Sequence, residues 1–233
     1  KDYFINQLGP YHAGLMGVEQ AKSLLERALA VNPDDPRTYF YYAQIEADAG
    51  NITAAIQYYE KTIALIESVT SPPTPPLEGR GEAPPFPLGK GAGGLGGEGV
   101  LPALPLGNFQ DAYLALGNLY YQQGDHEKAV ATYRRAIGLD PQLERHFFDQ
   151  GKTAFDAEQY DRAIEPFQKF LLLYPEDVDA TYLLGRSYEA SADVKDALQL
   201  YARTIELDAN HQDALMRSAQ LYRNQNDPQN ALA

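Results

Sequence analysis

Residues 110–145 read QDAYLALGNLYYQQGDHEKAVATYRRAIGLDPQLER, which is two amphipathic helices around a turn. Tyr113, Leu116 and Tyr120 stand at i, i+3 and i+7, one stripe along one helix face. Ala129, Tyr133 and Ala136 form a second stripe at i, i+4 and i+7. Gly124-Asp125 supplies the turn between them. Pro141 ends the second helix, since it lacks an amide donor and restricts the residue before it. Gly117 lies inside the first helix, where it costs ~1 kcal/mol relative to Ala. It is expected to face Ala129 and let the two backbones approach to about 8–10 Å. One such pair cannot bury both sides of its stripe, so neighbours must stack on it.

The pattern returns every 34 residues. Gly117, Gly151 and Gly185 share one column, with Ala219 in the next place. Ala129, Ala163, Ala197 and Ala231 share a second; Tyr133, Phe167 and Tyr201 a third; Pro141 and Pro175 a fourth. Four independent columns with one period mark an internal repeat. Carried outward, the register gives six units. Lys1–Asp35 keeps Ala21, Leu25, Ala28 and Pro33, but Pro10 falls where its first helix should continue and shortens or kinks it. Pro36–Ser68 keeps Tyr39, Tyr42-Ala43, Gly50, Ala55 and Tyr59, with Thr62 where a small apolar residue is usual. Glu144–Asp177 and Val178–Asn210 follow the pattern apart from Gln150, Ala154 and Thr204. Pro166 should bend the second helix of the former slightly. His211–Ala233 contains one helix, with Leu215, Ala219 and Tyr222, and the start of another.

These columns resemble the tetratricopeptide repeat, whose unit is an antiparallel helix pair. The resemblance implies an all-α fold, an α-solenoid in which the pairs form a right-handed superhelix. It covers nearly the whole chain except one segment, giving units 1 and 2 over residues 1–67 and units 3 to 6 over residues 108–233.

The exception, residues 68–107, is Pro-rich and then Gly-rich, with few charges, and includes SPPTPPLEGRGEAPPFPLGKGAGGLGGEGVLPALPLG. Such a composition cannot bury enough surface to offset ordering, so disorder or a polyproline-like course is expected. Glu67 and Gly107 hold the same repeat position, so about 40 residues are extra and the phase is restored after them. Enlarging a turn this much costs roughly 2 kcal/mol of loop closure. Stacking two helix pairs buries several large side chains at ~1.5–3 kcal/mol each. The expectation is therefore that the insert loops out and the array remains continuous.

Charge narrows the partners. Lys and Arg number 19 against 32 Asp and Glu, a formal charge of −13, which argues against duplex nucleic acid. No apolar run approaches the ~18–20 residues of a membrane span. There is no cysteine, which removes disulfides, thiolate metal sites and a Cys nucleophile and leaves the compartment open, with the cytoplasm as the working expectation. Lys1 in place of Met and the Asn-Ala-Leu-Ala ending suggest a piece of a longer chain, from which a signal peptide could have been lost.

Several motifs dissolve on inspection. Gly91-Ala92-Gly93-Gly94-Leu95-Gly96 spells a dinucleotide fingerprint without the strand and helix it needs. Gly151-Lys152-Thr153 imitates a phosphate loop, but His146 occupies the required upstream glycine place and the tripeptide falls mid-helix. His12, His126, His146 and His211 share no i, i+4 face, so neither a zinc site nor a general base is expected. Asn51-Ile52-Thr53 spells a glycosylation sequon and reads better as a helix N-cap. Pro72-Pro73-Thr74-Pro75-Pro76 reads as linker rather than as a ligand for a proline-binding domain. No cofactor and no catalytic residue are expected.

In the family the concave wall is lined by the first helix of each unit, at places 2, 5, 9, 12 and 13. Carried onto this chain, those places give Asp111, Leu114, Asn118, Tyr121 and Gln122; then Arg145, Phe148, Lys152, Phe155 and Asp156; then Asp179, Tyr182, Arg186, Glu189 and Ala190; then Asp213, Met216, Gln220, Arg223 and Asn224. Of these, Asn118, Tyr121, Arg145, Phe148, Lys152, Phe155, Tyr182, Arg186, Gln220 and Arg223 are the groove candidates. Asn118, Lys152, Arg186 and Gln220 are equivalent, a polar and partly basic ladder. Phe148 and Tyr182 are not demanded by the repeat core; either they stand exposed beside the ladder as anchors, or they pack between adjacent first helices while the cations are solvated. The carboxylate clamp that some members use has Lys at place 5, where this chain has Leu114, Phe148 and Tyr182, so that specialisation is not expected. The expected function is a non-catalytic module holding a protein or peptide in its groove, with Lys152 and Arg186 meeting carboxylates or carbonyls and the aromatics anchoring apolar side chains. The alternatives are a regulatory or targeting region of a larger enzyme, and an array that self-associates through exposed solenoid ends.

Overall fold

The structure is a computed structural model that describes residues 16–70 and 110–224. Pro10, His12, the Pro/Gly-rich stretch from Ser71 onward, Gly91–Gly96 and the second helix expected in the last unit lie outside those residues. Chain contacts divide the protein into two compact units, Lys1–Ala112 and Tyr113–Ala233.

The first unit holds α1 (Val18–Val31), α2 (Pro36–Asp48) and α3 (Ile52–Thr70), with α1 packed on α2 and α2 on α3. Helix α3 continues through Ser68 to Thr70, past the expected start of the insert. Helix α4 (Gln110–Gln122) leads into the second unit, which continues with α5 (His126–Leu139), a 3₁₀ turn over Pro141–Arg145, α6 (His146–Asp156), α7 (Tyr160–Leu173), α8 (Val178–Ala190), α9 (Val194–Leu207) and α10 (Gln212–Asn224). Among the described residues there is no strand. Short turns join α2 to α3, α4 to α5, α6 to α7 and α8 to α9, giving antiparallel hairpins. Successive hairpins of the second unit then stack, α7 on α8 and α9 on α10. The fold is the all-α solenoid the period implies.

Aspartates cap four of the α-helix starts. Asp35 accepts from Arg37 N ahead of Pro36, Asp125 from Lys128 N, Asp177 from Ala180 N and Asp193 from Asp196 N. His211 does the same for α10, its Nδ1 accepting from Ala214 N at 3.2 Å. His126 and His146 are also the first residues of their helices. The hairpin turns share one left-handed residue: Gly50 and Gly124 at φ 78°, then Glu158 at 59° and Ala192 at 64° in the same repeat place. Asn51 directly precedes α3, and its side-chain amide donates to Glu46 Oε2 at 2.7 Å. Glu46 is buried and also meets Lys22 Nζ at 2.6 Å, which holds its carboxyl below the usual range and ties α1 to α2.

The glycine column has a different partner from the one expected. A Cβ on Gly117 would lie 2.5 Å from the Tyr133 ring, one on Gly151 2.8 Å from Phe167, and one on Gly185 3.0 Å from Tyr201. Ala129 is buried too, but it is the ring four residues later that lies against the glycine. A flat face needs the room that a missing Cβ leaves, so the glycine and aromatic columns are two halves of one contact. Burial pushes the Tyr133 and Tyr201 hydroxyls up, and Glu189 adds to the shift at Tyr201, so both stay neutral.

Other departures from the repeat are absorbed locally. Thr62 and Thr204 hide their hydroxyls by donating to the Tyr58 and Leu200 carbonyls at 2.8 Å, which lets each fill a fully buried place. Pro166 sits inside α7 without ending it. Pro141 does end α5, and the 3₁₀ turn that follows places Arg145 before helix α6 rather than on it.

Candidate functional site

The places expected to line a groove lie on α4, α6, α8 and α10. Gly117 brings Asn118 next to the hairpin ring, and Asn118 Oδ1 accepts from the Tyr133 hydroxyl at 2.9 Å. One unit later the ring is Phe167, which has no hydroxyl. Lys152 is exposed there, and its Nζ bonds both oxygens of Asp156 at 2.9 and 2.7 Å. In the next unit the Tyr201 hydroxyl donates to Glu189, and Arg186 is left to lie over the Phe155 ring at 5.5 Å. Gln220 is exposed and accepts from Arg223 Nη2 at 2.8 Å. The ladder exists as a sequence column, yet Asn118, Lys152 and Arg186 sit by different rings and take different partners.

Phe148 corrects the expectation of an exposed anchor. It is buried at 6% exposure, edge-on to Phe167 and Phe170 at 5.9 and 5.3 Å. Phe170 stands where α5 has Ala136 and α9 has Thr204, and Phe148 closes over this larger ring. The Arg145 guanidinium covers it from outside at 4.2 Å from its centroid. Tyr182 is half-buried, 5.9 Å from Tyr201 and 4.6 Å from His211, and its hydroxyl accepts from Arg186 at 3.4 Å. Tyr121 is half-buried as well. Its hydroxyl donates to Gln168 Oε1 at 2.9 Å, and Gln168 Nε2 donates to the Tyr188 hydroxyl at 2.7 Å.

What remains accessible is a strip from α6 to α8. Phe155 is half-buried, edge-on to Tyr160 at 5.3 Å and capped by Arg186. Arg186 reaches on to Tyr182, and Lys152 stands exposed one turn before Phe155. This arrangement offers a flat aromatic face beside two cations, which suits an apolar side chain next to a carboxylate or carbonyl.

Three further groups shape the surface and escaped the sequence reading. Arg217 on α10 meets the Glu189 carboxylate at 3.0–3.1 Å, so that acid serves α9 and α10 together. Lys169 on α7 is buried at 8% exposure, paired with Glu165 at 2.6 Å and lying over the Tyr121 and Phe147 rings at 5.1 and 5.7 Å. Gln168 beside it ties α4 to α8. Nothing in the composition separates a cation like Lys169 from a solvated one; only its i+4 spacing from Glu165 hinted at a partner. Among the described residues no group of three or more His, Asp and Glu is placed to hold a metal ion, and no helix is long and apolar enough to cross a membrane.

A tetratricopeptide repeat family model matches residues 6–68, 148–211 and 182–233, and a second one matches residues 111–143. Protein bimA of Emericella nidulans is 32% identical over 79 residues, which is 34% of this chain and 10% of that protein. The chain thus matches about a tenth of that relative's length. Among solved structures, YrrB, described as a TPR protein with an unusual peptide-binding site, is 18% identical over 89% of this chain and 87% of its own, with a TM-score of 0.38. A MamA protein is 16% identical over 91% and 95%, with a TM-score of 0.43. Pseudomonas aeruginosa pilF is 18% identical over 99% and 86%, with a TM-score of 0.43.

Proposed function

The chain belongs to the tetratricopeptide repeat family of protein-interaction scaffolds, and we propose that it binds a peptide or protein segment, without catalysis, along the α6–α8 face of its second unit. The observation that carries the reading is the Phe155–Arg186–Tyr182 strip, with Lys152 beside it. Rigid hairpins hold these groups in place before a partner arrives, which lowers the ordering cost of docking an extended segment. The aromatic face takes an apolar side chain, and Arg186 and Lys152 take an acidic neighbour, exchanging their internal partners for it. Phe148, buried against Phe167 and Phe170, has no part in contact.

The test is a phage-displayed library of linear peptides selected on the full chain. Selected peptides are expected to pair an apolar residue with an acidic one, and to bind at least tenfold more weakly to an Arg186→Glu, Lys152→Glu variant of unchanged helical content. Equal binding by that variant would remove the groove from consideration.

A further inference from the structure

The first helix of a unit has a second face, about a third of a turn away from the groove, formed by places 3, 7 and 10. On α2 these are Thr38, Tyr42 and Ile45; on α8, Ala180, Leu184 and Ser187. All six are buried, with α1 packed on α2 and α7 on α8. On α10, Ala214 and Leu221 are buried in the same way beside α9. On α6 the three places are His146, Gln150 and Thr153; the first is half-buried and the other two are exposed. An open depression of about 600 Å³ runs along this face, from Gln142 ahead of the helix to Gln159 beyond it. Among the described residues, the place that a helix fills against α2, α8 and α10 is vacant against α6.

We propose that this vacancy is a docking seat for an α-helix of a partner protein, one with a polar, basic stripe. The equivalent faces set the shape: each receives a helix, and α6 offers a straight wall about 16 Å long. Small residues at Ala154 and Ala157 allow close approach. The chemistry sets the class. The lining is polar: the Gln142 and Gln150 carboxamides, Gln159 with its oxygen accepting from Arg162 at 3.2 Å, and Thr153 with its hydroxyl donating to the Asp149 carbonyl at 2.7 Å. It suits hydrogen-bonding side chains rather than an apolar ridge. Asp149 lies in the wall, and the adjoining depression at Gln159 adds Glu158 and Asp161 against Arg162. On a chain of net charge −13 this favours Lys or Arg on the incoming helix. The seat is independent of the groove on the other face.

A phage-displayed single-helix scaffold, randomised at i, i+3, i+4 and i+7 and selected on the full chain, tests the seat. Enrichment of Lys or Arg amid Ser, Asn and Gln is expected, with binding that weakens as salt rises. Asp149→Lys and Thr153→Tyr are surface changes that should each reduce binding of the selected helices at least tenfold with unaltered circular dichroism. Arg186→Glu, which disables the groove, serves as the discriminator. No enrichment would overturn the proposal, as would helices lost with Arg186→Glu and kept by the α6 variants. Sedimentation showing a dimer of the chain that Thr153→Tyr abolishes would assign the seat to a second copy instead, and would also overturn it.

Discussion

The junctions on either side of the α6–α7 hairpin are built differently. On the far side α8 lies against α7 in the regular way, with Ala180, Leu184 and Ser187 under cover and Tyr188 tied to Gln168. On the near side the corresponding face of α6 is open among the described residues, and the hairpin is fastened to what precedes it through α7 instead. Helix α5 touches α7, Tyr133 meets Phe147 edge-on at 4.7 Å, Lys169 is sunk over Tyr121 and Phe147, and Gln168 takes the Tyr121 hydroxyl. Both junctions nevertheless flank hairpins closed by the same ring-on-glycine contact. The hairpin and the stacking are therefore specified by separate columns, and one can change while the other holds.

The largest expected effect breaks the shared part. Phe167→Ala should cost about 3–5 kcal/mol in chemical denaturation, since its ring is fully buried over Gly151. Next comes the difference between the junctions. Leu184→Ala should cost about 2–5 kcal/mol, whereas Gln150→Ala, in the same repeat place, should stay within about 0.5 kcal/mol. Equal costs would erase the distinction. Smaller still is the turn. Ala192→Gly should stabilise by up to about 1 kcal/mol, because Ala is held at φ 64° there, and Gly124→Ala should destabilise by a similar amount.

The first unit offers an acid-sensitive counterpart. The Lys22 bond holds Glu46 below its ordinary value, so its contribution is complete above that value and is lost as the pH falls through the lowered one. Thermal melts between pH 7 and 3 should show a flatter acid limb for Glu46→Gln than for the parent chain.

Much of this was legible in the residues. The period located every hairpin among the described residues, Pro141 marked a helix end, and Gly124 marked a turn. The ring-on-glycine contact escaped because two columns at fixed spacing do not say which pair touches, and Ala129 looked the closer fit. Phe148 misled for a related reason: its burial depends on Phe170, a residue whose size matters only once the hairpin is closed. Gln150 and Ala154 were visible as departures, but a departure shows that a contact is lost without showing that the face stays open. Lys169 and the Glu189–Arg217 pair join elements too far apart in sequence for spacing to reveal them.

The chain has no cysteine, so a single introduced one reports on its own site. Thr153→Cys and Ser187→Cys occupy the same repeat place on α6 and α8. Under native conditions the thiol of the first should react with a small disulfide reagent at nearly the rate of a free peptide, and that of the second orders of magnitude more slowly. Equal protection at the two positions would mean that α6 is covered like its neighbours, and the account of the open junction would fail.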